Sequence, residues 1–173
     1  NNNFWTTRIR PALRSTFLPA SYPLKLPSGY LQYCIWSWIQ DLSTQLRGVL
    51  ATQRILEGVG VGRADATALS ALLNFIVRDG CGMLASLLFT AAAASRFQTD
   101  VKRWRLLADV MVDIGITLEV AAPQVPRALF LPMISIASMC KAICGVAAGA
   151  CGGAINLYWS SSGGDISDIS AKF

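Results

Sequence analysis

The chain has 173 residues, 53% of them hydrophobic and only 14% charged, with a net charge of +5 and a mean hydropathy of +0.45. Ordinary soluble domains carry roughly 25% charged residues, so the balance points to a helical protein associated with a membrane. No histidine is present, which excludes Ser-His-Asp and Cys-His catalysis and every histidine-containing metal site within these residues.

Residues 1–27 are rich in Pro, Ser, Thr and Arg, and Pro11, Pro19, Pro23 and Pro27 prevent a long helix. Phe17-Leu18-Pro19 and Tyr22-Pro23 read as an extended segment laid over another surface. Arg8, Arg10, Arg14 and Lys25 precede the first acid, Asp41. This basic, irregular arm suits an anionic membrane surface better than nucleic acid, and no nucleic-acid partner is expected.

Ser28 is the expected N-cap of a helix ending at Gly58. In it Ile35, Leu42, Val49 and Leu56 recur every seven residues, broadened by Leu31, Trp38 and Leu46, while Asp41, Arg47, Arg54 and Glu57 take other faces. The pattern is that of an amphipathic packing helix. Gly58-Val59-Gly60-Val61-Gly62 then reads as a helix–helix turn. A phosphate cradle would need a preceding strand, or a lysine and hydroxyl at P-loop spacing, and neither is there.

Asp65 is placed to cap a second helix to about Arg78, with Asp79 as a helix-end charge and Asp79-Gly80-Cys81-Gly82-Met83 as an interruption. Residues 80–95 form an uncharged run of 16, a half-span or a buried core helix. Thr99 or Asp100 caps the next helix, which ends before Pro123. Lys102 and Trp104 at its start read as interfacial anchors. Within it Arg105, Asp109 and Asp113 lie one turn apart on one face. Two acids and a base on an apolar helix must pair, face water or serve a site. They read either as intrahelical ion pairs or as a polar patch for a cation, a proton or an anionic ligand.

Pro123, Pro126 and Pro132 are expected to form a kinked connection. Lys141 stands in an oily stretch, either ion-paired and snorkelling or available to form an imine with an aldehyde such as pyridoxal phosphate. Residues 142–164 carry no charge over 23 positions, and inside them Gly145, Gly149 and Gly153 form a small-residue face for helix packing. Asp168 and Lys172 read as a cap or an i,i+4 salt bridge. The five cysteines (Cys34, Cys81, Cys140, Cys144 and Cys151) read as buried packing residues without a metal. No strand pattern or internal repeat is visible. The fold expected is all-α: a hydrophobic multi-helix bundle over 28–173, preceded by the irregular arm.

Several landmarks together resemble the root UVB sensitive family, also described by its plant role in vitamin B6 photoprotection and homeostasis. They are Phe17-Leu18-Pro19 with Tyr22-Pro23, Tyr30, Tyr33, Trp36, Thr52-Gln53, Gly58-Val59-Gly60-Val61-Gly62, Ala66-Thr67, and Asp79-Gly80 through Gly82-Met83. Lys102, Trp104-Arg105, Ala108-Asp109-Val110 through Asp113, Lys141 and Asp168-Ile169-Ser170-Ala171-Lys172 complete the series. Val112 and Gly164-Asp165 stand where the family pattern has asparagines. The family domain is longer than this chain, so the chain reads as a fragment truncated at its C-terminus.

The resemblance implies no enzymatic activity, and neither catalytic residues nor a cofactor are expected. Plant members are associated with plastids, UV-B response, seedling development, auxin transport and vitamin B6 balance, and some act as partners of one another. The reading is therefore a non-enzymatic, membrane-associated component of vitamin B6 homeostasis, transporter-like or scaffolding, paired with a homologous family member. An organelle membrane is the expected location, a plastid's in a plant or alga. The alternative is a soluble helical module that binds or delivers a B6 vitamer through Lys141 or the Arg105 stripe.

Overall fold

The structure, a computed structural model, describes residues 16–24, 26–60, 68–97, 99–161 and 163–171. Among the described residues five α-helices follow in order: α1 (Tyr30–Val59), α2 (Ala68–Ala93), α3 (Val101–Ala121), α4 (Arg127–Ser160) and α5 (Ile166–Ala171). Short 3-10 turns, Ala94–Arg96 and Ala122–Gln124, follow α2 and α3. The described residues contain no strand, and the fold is an all-α bundle.

Helix α1 begins after Gly29, whose φ of 102° disfavours any side chain, and the Tyr33 N–H donates to the Gly29 carbonyl at 2.9 Å. Gly29 therefore opens the helix, one residue later than the expected Ser28 cap. At the other end Gly60, with φ 90°, donates its N–H to the Glu57 carbonyl at 3.1 Å.

Two expected breaks are absent. Helix α2 runs unbroken through Asp79–Met83, because each glycine costs a helix only about 1 kcal/mol and Gly82 is used for packing. Asp79 accordingly lies mid-helix, accepting a hydrogen bond from Arg78 Nε at 2.9 Å. The expected cap at Asp65 lies outside the described residues. Pro132 sits inside α4, not in the connection, while Pro123 lies in the second 3-10 turn. A proline this early in a 34-residue helix forfeits one backbone bond and leaves the rest intact.

The chain divides into two compact units, residues 1–40 with 152–173, and residues 41–151. In the first, Leu26, Tyr30, Cys34, Trp159 and Ile169 form the core, joined by Leu18 and Tyr22. Trp159 meets Tyr30 edge-on, with ring centroids 5.4 Å apart. Burial pushes the Tyr30 phenol and the Cys34 thiol above their ordinary values. Asp168 accepts the Ala20 N–H at 2.7 Å. It thereby ties down the segment before α1, where a cap or a bridge to Lys172 was expected; Lys172 lies outside the described residues. Asp165 caps α5, its Oδ1 accepting the Ser167 Oγ–H at 2.7 Å and the Ser167 N–H at 2.9 Å.

In the second unit three helices each present one glycine to α4. A Cβ at Gly58 of α1 would overlap Phe130 Cε2 at the edge of the ring. One at Gly82 of α2 would stand 2.6 Å from Ser138 Oγ, and one at Gly115 of α3 would stand 2.9 Å from the Ala137 carbonyl. The seams are lined by small residues: Ala51, Ala85, Ala93, Ala108, Ala122, Ala137 and Ala147 are all buried. Leu26 is the only buried leucine among the described residues.

This distribution corrects one sequence expectation. The heptad stripe Ile35, Leu42, Val49 and Leu56 of α1 is exposed, as are Leu31 and Leu46. Close helix approach is governed by small side chains, so α1 packs through Ala51, Ile55, Gly58 and Val59, leaving its bulky stripe outward.

Candidate functional site

Ala108 and Gly115 of α3 and Ala122 just after it recur every seven residues and are all buried. Glu119, one turn beyond Gly115, shares that face and is only 1% exposed. A carboxylate taken out of water needs a charged partner. Lys141 of α4 supplies it: Nζ lies 2.9 Å from Oε1 and 3.0 Å from Oε2. The lysine stem crosses Gly115 to get there, for a Cβ at 115 would stand 2.8 Å from Lys141 Cγ.

The Lys141 side chain remains 39% exposed, and it borders an open groove of about 760 Å³ along α1. Val49, Leu56 and Gly48 give this groove an apolar wall, and Gln45, Thr52, Gln53 and Glu57 set polar groups along it. The Thr52 hydroxyl donates to the Gly48 carbonyl at 2.9 Å, which leaves its oxygen as an acceptor. Glu57 accepts from Arg54 Nη1 at 2.8 Å and from Gln53 Nε2 at 3.1 Å. The Arg54 bond holds the Glu57 carboxyl below the usual carboxylate range. Both charged residues that line the groove among the described residues, Glu57 and Lys141, thus already face an opposite charge.

Within the Arg105–Asp109–Asp113 stripe the ion pairs run in two directions. Arg105 Nε approaches Asp109 Oδ1 at 3.8 Å along α3, whereas Asp113 pairs with Arg47 of α1. Arg47 also donates to Thr44 Oγ1 at 3.3 Å. Partly exposed pairs of this kind contribute roughly 0.2–1 kcal/mol each. Lys141 belongs with Glu119, not with the stripe.

Trp104 is half-buried, its Nε1–H donating to the Arg96 carbonyl at 3.0 Å. Its ring meets Phe97 with centroids 5.0 Å apart and Phe89 with centroids 6.0 Å apart. Lys102 is exposed beside it. Gly145, Gly149 and Gly153 are exposed, and a Cβ at each would meet nothing within 4 Å. The sequence reading passed over Glu119 and assigned Arg47 no partner. The signal for Glu119 was its place on the Ala108–Gly115–Ala122 face, four residues after a glycine.

A family model described as the vitamin B6 photo-protection and homoeostasis domain matches residues 5–173. RUS family member 1 of Dictyostelium discoideum is 36% identical over 156 residues, which cover 90% of this chain and 29% of that protein. Protein root UVB sensitive 3 of Arabidopsis thaliana is 35% identical over 156 residues, covering 90% of this chain and 35% of that protein. Protein root UVB sensitive 2, chloroplastic, from the same plant is 35% identical over 157 residues with the same coverage. The chain spans about a third of the length of these curated relatives. No solved structure matches it.

Proposed function

The chain belongs to the root UVB sensitive family, whose domain carries the vitamin B6 photo-protection and homoeostasis description, and from that membership we propose a non-enzymatic, membrane-associated helical module acting in vitamin B6 homeostasis. The observation that carries the membrane part is the placement of residue sizes: alanine and glycine line the seams while leucines face out. Water-soluble bundles bury their large apolar side chains, whereas helices in lipid associate through small ones. Helix α4 and residues Leu69–Ala93 of α2 are long and apolar enough to cross a bilayer by length and composition.

Arg96, Lys102, Arg103 and Trp104 gather near the end of α2, a composition suited to anionic headgroups. The open glycine face Gly145, Gly149 and Gly153 suits a partner helix, in this reading that of a homologous family member. The Lys141–Glu119 pair among apolar helices supports a transporter-like role over pure scaffolding, because ionisable groups at such places mark small-molecule or ion routes. In a plant or alga the membrane is a plastid's, in line with one relative's chloroplastic name. The UV-B, seedling and auxin-transport phenotypes then follow from disturbed vitamer balance.

Carbonate extraction of the full-length protein from isolated organelles tests the reading. Retention in the pellet, with release by detergent, is the expected result; quantitative release by carbonate sinks it. In that event the groove at Lys141 favours the second reading, a soluble module that binds or delivers a B6 vitamer.

A further inference from the structure

We propose that Lys141 is an imine-forming site for uncharged, hydroxyl-bearing aromatic aldehydes, with Glu119 as its fixed counter-ion. The proposal rests on the vitamin B6 reading only for the choice of aldehyde; the lysine chemistry follows from the geometry.

The Lys141 side chain touches two features that a stable imine needs. On one side both Glu119 oxygens lie within 3.0 Å, and that carboxylate is 1% exposed. On the other the Lys141 side chain, 39% exposed, borders the α1 groove, large enough for a vitamin-sized ring. A protonated imine keeps the positive charge of the ammonium it replaces, so the Glu119 carboxylate stays matched in both states. A surface lysine lacks such a partner, and water hydrolyses its imines freely.

The step balances without an oxidant or reductant. The Lys141 ammonium passes one proton to Glu119, and the freed amine adds to the aldehyde carbon, forming the C–N bond. The proton lost from nitrogen and the one held by Glu119 go to the former carbonyl oxygen, which leaves as water when the C–O bond breaks. The product is a protonated imine whose remaining N–H donates to the ionised Glu119.

The groove's own chemistry selects the substituents. Val49 and Leu56 offer apolar contact to a ring, and Gln45, Thr52 and Gln53 offer neutral hydrogen-bonding groups to hydroxyls or a ring nitrogen. Its charges are already matched, Lys141 by Glu119 and Glu57 by Arg54. A phosphate ester would bring two negative charges to a groove whose charged lining, among the described residues, is already paired. The unphosphorylated aldehyde is therefore the form that fits.

The full-length protein in detergent is incubated in parallel with pyridoxal, pyridoxal 5′-phosphate and propanal, reduced with borohydride, digested and mapped by mass spectrometry. Exposed Lys102 serves as the internal reference. We expect pyridoxal to label Lys141 at least tenfold over Lys102, and pyridoxal 5′-phosphate to label it several-fold less. Glu119→Gln should lower Lys141 labelling by tenfold or more while leaving Lys102 unchanged. Equal labelling of the two lysines, or stronger labelling of Lys141 by the phosphate ester, overturns the proposal. Selective labelling of Lys141 by propanal without pyridoxal labelling upholds the lysine chemistry and overturns the vitamer reading. The wild-type comparison needs no variant to fold, so a collapsed Glu119→Gln leaves the result decisive.

Discussion

Lys141 reaches Glu119 only because residue 115 has no side chain: a Cβ there would stand 2.8 Å from Lys141 Cγ and 2.9 Å from the Ala137 carbonyl. The lysine stem has freedom to bend away, but the carbonyl belongs to the α4 backbone and does not. Gly115→Ala should therefore destabilise the protein by about 1–3 kcal/mol, the usual cost of overpacking. Denaturant unfolding in detergent micelles, followed by circular dichroism, gives the number, and an unchanged midpoint would contradict the close approach.

The Lys141–Glu119 pair should show strong coupling. Removing one partner of a buried pair typically costs about 3–5 kcal/mol; the half-exposed lysine lowers the figure here to roughly 2–3 kcal/mol for Lys141→Met. The double variant Lys141→Met with Glu119→Leu removes both charges and should recover most of that loss. A double-mutant cycle with additive terms would show the two groups to be independent.

Gly58 and Phe130 offer a rescue experiment. Gly58→Ala drives a methyl into the edge of the Phe130 ring at Cε2 and should cost about 1–3 kcal/mol. Phe130→Leu shortens the opposing side chain, so the double variant should be more stable than Gly58→Ala alone.

Gly149 sits in the opposite situation, with open space where a side chain would go. Gly149→Ala should stabilise the isolated chain by about 0.5–1 kcal/mol through helix propensity. Gly149→Leu should in turn weaken crosslinking to a family partner in membranes. A Gly149→Ala protein that unfolds more easily would mean the face is already occupied within the chain.

The cap of α5 carries a pH signature. Hydrogen bonds from the Ser167 hydroxyl and N–H hold the Asp165 carboxyl below its ordinary value. A depressed carboxyl stabilises the fold fully above its unfolded-state pKa and loses that contribution as pH falls through the folded value. The Ser167 amide resonance should accordingly titrate below the usual aspartate range, and Asp165→Asn should abolish that titration. A midpoint at the ordinary aspartate value would show the cap to be absent in solution.

Helix positions were legible to within a residue or two where glycine and proline act as true punctuation, for the expected helix from Ser28 to Gly58, found at Tyr30–Val59, and around Pro123–Pro126. They were misread where the same residues serve packing. Gly80 and Gly82 resembled a break because sequence alone does not reveal that Ser138 fills the notch at Gly82. The charged stripe was visible, but its partners were not, since Arg47 and Asp113 are brought together only by tertiary structure. Periodicity marked the bulky stripe of α1 as its packing face because the rule weighs hydrophobicity and not side-chain size. With small residues forming the seams, the same period marks the opposite face.

Three notches on α1, α2 and α3 receive Phe130, Ser138, and Ala137 with Lys141 from a single rod, α4. Turning that rod by one residue rotates it about 100° and would drive different side chains toward all three at once. Its longitudinal setting is thus fixed by steric fit and not by hydrophobicity, which an all-apolar helix would satisfy in many registers. A helix so keyed cannot slip along one neighbour without leaving its notches in the other two.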